Sequence, residues 1–138
     1  MKVQVLSRSQ QKQYIMRFKN FEKFLPKDFV GHEKSTDYGD TLYIFQKDGK
    51  GLVRLEEEDD VAGVFWIMEL SVSKDYRDEG LGTKLMGIAE VIAVYAGGTK
   101  LRLWVVEDSW MRDWYERLGF EDDGEEPQDG KITMTKII

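Results

Sequence analysis

The pattern of hydrophobic and polar positions divides the chain into strand-like and helix-like segments. Apolar residues alternate with polar ones in several short segments, which favours half-buried strands. The strands predicted in this way are Lys2–Ser7, Leu42–Gln46, Leu52–Glu57, Leu101–Val106 and Lys131–Ile138. A further segment, Val61–Val72, is apolar almost throughout, which predicts a central strand covered on both faces.

Helical spacing of apolar residues predicts three helices. These are Ser9–Leu25, Gly80–Ala96 and a short helix Trp110–Leu118, which Asp108 or Ser109 can cap. The predicted buried stripe of the second helix is Leu81, Leu85, Ile88, Ile92 and Tyr95. The connection Lys47–Lys50 has the composition of a hairpin turn, whereas Pro26–Asp40 is predicted to be irregular.

The order of these elements predicts one α+β domain spanning residues 1–138. An antiparallel meander is followed by a strand, a helix and a strand, Val64–Val106. Such a connection between parallel strands is a right-handed crossover in nearly all proteins. We therefore expect a mixed sheet with helices packed against it.

Composition narrows the classes of function. The 138 residues include no cysteine, which excludes disulfides, thiol nucleophiles and thiolate metal sites. The net charge of −6 disfavours nucleic acid and anionic lipid as partners and favours cationic amines, although it also serves solubility alone. No apolar run reaches the roughly 20 residues that cross a bilayer, and the absence of cysteine fits the cytoplasmic protein that we expect.

The loop Leu70–Thr83 carries the most informative chemistry. It joins the central strand to the second predicted helix, whose first backbone N–H groups have no intrahelical partner and attract anions. Gly80 and Gly82 lack Cβ atoms, so a phosphate can approach these amides, and Arg77 supplies a cation. A tight turn without any ligand is the alternative interpretation.

Two segments resemble one protein family. Val72-x4-Arg77-x2-Gly80-x-Gly82 is similar to motif A of the GNAT family of N-acetyltransferases, and Trp114–Phe120 is similar to the family's LYEKLGF segment. The resemblance implies a GNAT-like fold, with a mostly antiparallel sheet splayed between the fourth and fifth strands and flanked by helices. It also implies acetyl-CoA as the cosubstrate and a primary amine as the acceptor.

The resemblance implies roles for individual residues. The backbone of Leu70 and Val72 would pair with the pantetheine amides, and Tyr115 would protonate the departing CoA thiolate. The expected pyrophosphate and cofactor contacts are Arg77, Asp78, Glu79, Gly80, Leu81, Gly82, Thr83 and Asp108. A tyrosine of pKa ~10 is protonated at neutral pH and is a competent donor.

Other assignments stay open. Glu69, on the central strand, is a candidate base or a solvated carboxylate, and Tyr115 without the resemblance is a packed helix tyrosine. His32, the single histidine, is expected in a surface loop. The acidic segment Glu121–Asp129 either attracts a cationic acceptor or is a plain loop.

The chain also departs from the family pattern. Asp78 and Glu79 place carboxylates beside the expected pyrophosphate, and Asp108 replaces a common asparagine. A non-catalytic GNAT-fold module that binds CoA weakly, or a protein partner instead, is therefore the alternative function. The final predicted strand, Lys131–Ile138, is expected to be an exposed edge through which the chain dimerises.

Overall fold

A seven-stranded mixed sheet forms the centre of the protein, as seen in a computed structural model that describes residues 18–36, 39–77 and 79–138. The strand order is β1-β2-β3-β4-β5-β7-β6. The strands are β1 (Phe29–Thr36), β2 (Gly39–Gln46), β3 (Gly51–Glu57), β4 (Val64–Val72), β5 (Lys100–Val106), β6 (Glu121–Asp122) and β7 (Lys131–Ile137). The helices are α1 (Leu81–Tyr95), α2 (Trp110–Arg117) and the 3₁₀ helices Phe21–Phe24 and Lys74–Tyr76. The expected α+β class with a mixed sheet is confirmed.

The prediction that Pro26–Asp40 is irregular is wrong, because most of this segment is strand β1. This strand pairs with β2 from Phe29 to Thr36 and carries His32, which is exposed on a strand rather than in a loop. Gly31 occupies a core-facing position of β1, where a Cβ would collide with the ring of Phe21. A glycine at a core-facing position hides the alternation that would have predicted a strand.

The predicted N-terminal helix Ser9–Leu25 falls mainly outside the described residues, as does the predicted strand Lys2–Ser7. The described end of this predicted helix is a 3₁₀ helix, Phe21–Phe24. Asn20, just before it, has a left-handed backbone with φ 64°. The α-helical prediction is therefore wrong for this end. Phe18 and Phe21 are nevertheless buried, as their spacing suggested.

Helix α1 begins and ends within one residue of the predicted bounds. Its termination is confirmed at Gly97 and Gly98: Gly97 has φ 90°, and the Gly98 N–H donates to the carbonyl of Ala93 at 2.7 Å. The prediction of Tyr95 as a buried residue is wrong. Its side chain is 52% exposed, and its hydroxyl accepts a hydrogen bond from Lys23 Nζ at 2.9 Å.

The core lies between the helices and one face of the sheet. Buried side chains on that face include Ile44, Val53, Phe65 and Leu103, and both α-helices contribute to the same cluster. The opposite face, called here the open face, carries Trp66 and Glu69 of β4, which are partly or fully exposed. The expectation that β4 is covered on both faces is therefore wrong, although β4 is the central strand.

Strands β4 and β5 are parallel for only three residue pairs and then separate. The pairs run from Val64↔Lys100 to Trp66↔Arg102. Two residues later Met68 forms a bulge, since Ile67 pairs with Leu55 and Glu69 with Arg54. A bulge bends and twists its strand, which explains the divergence of β4 from β5. The predicted parallel connection and the splay between the fourth and fifth strands are confirmed.

Strand β7 matches the predicted final strand but is not an edge. It pairs with β5 on one side and with β6 on the other, where Glu121 lies opposite Thr135. The prediction that this strand is an exposed edge is therefore wrong, and dimerisation stays a prediction. No helix in the described part of the chain is both long and apolar enough to cross a membrane.

Candidate active site

The separation of β4 and β5 opens a cavity of about 580 Å³ on the helical side of the splay. This volume is in the range of small-molecule sites. Three elements form its walls: the end of β4, the loop and first turn of α1, and one face of α2. The lining residues are Leu70, Ser71, Val72, Tyr76, Arg77, Gly80, Leu81, Gly82, Thr83, Trp110, Met111, Trp114 and Arg117.

The backbone of β4 presents hydrogen-bonding groups to this cavity. The Ser73 N–H donates to the carbonyl of Lys50 on the β3 side at 2.8 Å. Successive strand residues point their amide groups to opposite sides, so the backbone groups of Val72 and Leu70 point away from β3, into the splay. Arg77 Nε donates to the Val72 carbonyl at 3.4 Å, a long bond that a better partner can replace.

The N-terminus of α1 faces the same cavity without a side-chain cap. Its N-cap is Gly80, whose φ of 77° suits glycine, and the first intrahelical bond runs from the Lys84 N–H to the Gly80 carbonyl. The amides of Leu81, Gly82 and Thr83 therefore have no intrahelical acceptor. A Cβ at Gly80 would meet nothing within 4 Å, which leaves the approach to these amides open.

Gly82 lines the cavity and also contacts the second helical wall. A Cβ there would lie 3.3 Å from Trp114 Cζ2, so the position is filled by the indole of α2. Because Gly82 has no side chain, the indole of Trp114 fits against the first turn of α1, and both residues line the cavity.

The charged groups at the cavity are cations. Arg77 and Arg117 line it, and within the described residues the lining contains no carboxylate. Glu79 is exposed outside the lining, and Asp78 lies outside the described residues. Sequence reasoning missed Arg117, because an arginine in the last turn of a helix also favours the helix dipole and carries no separate signal.

Asp108 neither lines the cavity nor caps α2. It is exposed in the turn before the helix, and the cap is Ser109, whose Oγ accepts from the Arg112 N–H at 3.4 Å. Of the two predicted caps, Ser109 is thus confirmed.

Tyr115 is buried in the core next to the cavity wall. Its ring packs edge-to-face against Trp114 and Phe120, with centroids 5.0 and 5.8 Å away. It is 6% exposed and is not among the lining residues. Burial raises the pKa of the Tyr115 phenol to about 12, so the hydroxyl is protonated at neutral pH.

Glu69 lies on the open face of the sheet, on the other side of the splay. Its carboxylate is exposed and accepts a hydrogen bond from Ser71 Oγ at 3.4 Å. Trp66 and Trp104 also lie on this face, with ring centroids 4.4 Å apart. The structure therefore puts Glu69 and the backbone of Leu70 and Val72 on the same strand segment, with Tyr115 on the helical side.

The acidic segment Glu121–Asp129 is partly neutralised by internal ion pairs. Arg102 Nη2 lies 2.6 Å from Asp123 Oδ2 and 3.0 Å from Glu125 Oε1, and Arg112 pairs with Asp122. These pairs reduce the negative charge with which the segment can attract a cationic acceptor.

The Acetyltransferase (GNAT) domain family matches residues 38–122 of the chain. An uncharacterised N-acetyltransferase of Methanocaldococcus jannaschii is 38% identical over 73 residues. That match covers 52% of this chain and 31% of the relative, so the chain spans about a third of that protein's length.

Solved structures share the fold at low sequence identity. The PaiA N-acetyltransferase of Thermoplasma acidophilum, solved in complex with coenzyme A, superposes with a TM-score of 0.59 at 22% identity. The alignment covers 71% of this chain and 60% of that one. A GNAT family acetyltransferase of Elizabethkingia anophelis with acetyl-CoA bound superposes with a TM-score of 0.60 at 14% identity. That alignment covers 82% of this chain and 100% of the other.

Proposed function

The chain belongs to the GNAT acetyltransferase family, and from this premise we propose that it transfers an acetyl group from acetyl-CoA to a primary amine. One observation carries the proposal. The backbone edge of β4 that does not pair with β3 and the uncapped N-terminus of α1 face a single cavity, whose charged lining residues are Arg77 and Arg117. An extended amide chain that ends in a pyrophosphate is complementary to that arrangement.

The residues present fit acetyl-CoA. The outward backbone groups of Leu70 and Val72 can pair with pantetheine amides as an added strand does. The free amides of α1 and the two arginines can hold the pyrophosphate. Glu79, being exposed, adds its charge in water rather than inside the cavity.

The proton transfers fall to two side chains. Bound acetyl-CoA supplies a thioester that an amine attacks directly, forming the C–N bond as the C–S bond breaks. Glu69, at the open side of the splay, takes the proton that the ammonium must lose, directly or through water. Tyr115 supplies a proton to the sulfur. With its pKa near 12, donation to a thiol of ordinary pKa ~8.5 is uphill by about 5 kcal/mol.

The position of Tyr115 also supports a second candidate. Because it lies behind the lining residue Trp114, a GNAT-fold module that binds CoA without catalysis is consistent with the same cavity. Catalysis and binding must therefore be tested separately.

Calorimetric titration of acetyl-CoA tests the binding half of the proposal. Arg117→Gln removes a lining cation from α2, and Arg112→Gln is its matched control on the same helix, since Arg112 is paired with Glu116 and Asp122 instead. We expect the Kd to rise about 10-fold in Arg117→Gln, the usual effect of one charge-assisted hydrogen bond, and to stay unchanged in Arg112→Gln.

Acetylation of a panel of amines, followed by release of free CoA thiol, tests the catalytic half. Binding with turnover supports the enzyme, whereas binding without turnover of any amine supports the non-catalytic module. Absence of acetyl-CoA binding to the wild type contradicts both.

A further inference from the structure

A row of polar side chains crosses the open face of the sheet at the level of the splay. The register pairs His32 with Tyr43, Tyr43 with Arg54, and Arg54 with Glu69. Directly paired residues project from the same face. The row therefore ends at Glu69, beside the gap between β4 and β5, with a cation and a carboxylate as its last two members.

Arg54 has no acidic partner among the residues that the structure describes. Within the described residues, Arg54 Nε is buried without a hydrogen-bond acceptor, and no carboxylate forms a salt bridge with the Arg54 guanidinium. By contrast, Arg102 and Arg112 each form salt bridges with two carboxylates. The Arg54 guanidinium lies 5.9 Å from the ring centroid of Tyr43, at the outer limit of a cation–π contact. Such a partly buried and unpaired guanidinium is an available site for an anion.

We propose that Arg54 and Glu69 together bind an α-amino acid as the acceptor. Arg54 binds the carboxylate, and Glu69 faces the amino group. The transfer step of this inference rests on the proposed function, but the binding site does not.

The geometry favours a zwitterion over other amines. Neighbouring strands lie about 4.8 Å apart, so the positive and negative side chains are close enough for one small molecule to contact both. A polyamine would place a second ammonium near Arg54, and a peptide N-terminus would present a neutral amide there. The cofactor cavity opens on the helical side, which leaves the open face as the approach for the acceptor.

Trp104 supplies an apolar wall for the acceptor side chain. It is 53% exposed, faces the same side as Glu69, and is held against Trp66. Since Trp66 pairs with Arg102, Trp104 lies at the level of Glu69 on the far side of the gap. Phenylalanine is therefore a suitable probe.

Calorimetry with phenylalanine and its amide tests the site. The titration is done at about pH 6, where both α-amino groups are cationic, with and without saturating CoA, which has no acetyl group to transfer. We expect the wild type to bind phenylalanine about 10- to 100-fold more tightly than the amide, the value of a charge-assisted contact. Arg54→Gln should abolish this preference, whereas Arg54→Lys should retain part of it and Arg112→Gln all of it.

Two results would overturn the inference. One is equal binding, or no binding, of the acid and the amide by the wild type under both conditions. The other is an unchanged preference in Arg54→Gln. If acetyl-CoA fails to bind while the Arg54-dependent preference persists, the proposed function fails and the amino-acid site stands.

Discussion

The indole of Trp114 fills the space in front of Gly82, since a Cβ on that glycine would lie 3.3 Å from Trp114 Cζ2. This contact joins the first turn of α1 to α2, the two helical walls of the cavity. The width of the cavity therefore depends on the absence of a side chain at Gly82.

Replacing Gly82 by leucine should separate the two helices. The added side chain overpacks the contact with Trp114, so we expect the free energy of unfolding to fall by about 1–3 kcal/mol and acetyl-CoA binding to weaken. Urea unfolding and calorimetry measure the two effects. Gly87→Leu on the same helix is the control, because a Cβ there meets nothing within 4 Å. Equal behaviour of the two variants would contradict the proposed contact.

The left-handed backbone conformation of Gly80 should lower the stability of the protein if any other residue has to adopt it. Gly80 and Gly87 both have open space where a Cβ would lie, but only Gly80 has a positive φ, of 77°. Gly80→Ala should lower the free energy of unfolding by about 1–2 kcal/mol, whereas Gly87→Ala should raise it by up to about 1 kcal/mol. Chemical denaturation compares them. Stabilisation by both alanines would mean that the α1 N-cap does not need glycine.

Tyr115 should make the protein sensitive to alkaline pH. Its pKa is near 12 in the folded state and ~10 in the unfolded chain, so the unfolded tyrosine loses its proton first. Folding stability should therefore fall as pH rises from about 10 to 12, by up to about 2.7 kcal/mol from this group. Denaturation of Tyr115→Phe should show a shallower loss over this window. Tyr95→Phe, at a half-exposed position, should behave as the wild type does.

The Tyr115 hydroxyl should also matter for turnover. Tyr115→Phe keeps the ring packing on Trp114 and Phe120 and removes only the hydroxyl, which we propose as the proton donor. We expect kcat to fall about 100-fold, at the low end for general acids because of the raised pKa, with the acetyl-CoA Kd unchanged. Steady-state kinetics and calorimetry check this. An unchanged kcat would assign the proton to water instead.

The sequence wrongly predicts that β4 is covered on both faces, and the reason lies in the structure of the strand. Phe65 and Ile67 face the core before the bulge at Met68, and Leu70 and Val72 face the helical side after it. The bulge shifts the alternation by one residue, so two one-sided patterns run together as one apolar stretch. A regular period of two cannot distinguish this from a strand buried on both faces.

The elements around the site were largely predictable, but several of its side chains were not. The glycine positions that begin and end α1, and the turn after β2, have local causes that the sequence displays. Arg54 and Arg117 reach the two proposed sites through strand register and through the contact of α2 with α1, which depend on tertiary structure. The sequence predicts a loop at His32 because Gly31 interrupts the apolar pattern of β1.

The extra residue at Met68 makes the length of β4 matter more than its composition. Deleting Met68 would leave Glu69 opposite Arg54 and Leu70 opposite Val53, so the side chains of β4 would keep their faces. It would remove the bulge that bends β4 away from β5, and the gap between the two strands should then narrow. A deletion of this residue should therefore be tolerated far less than its substitution, because the number of residues in the strand sets the curvature on which the cavity depends.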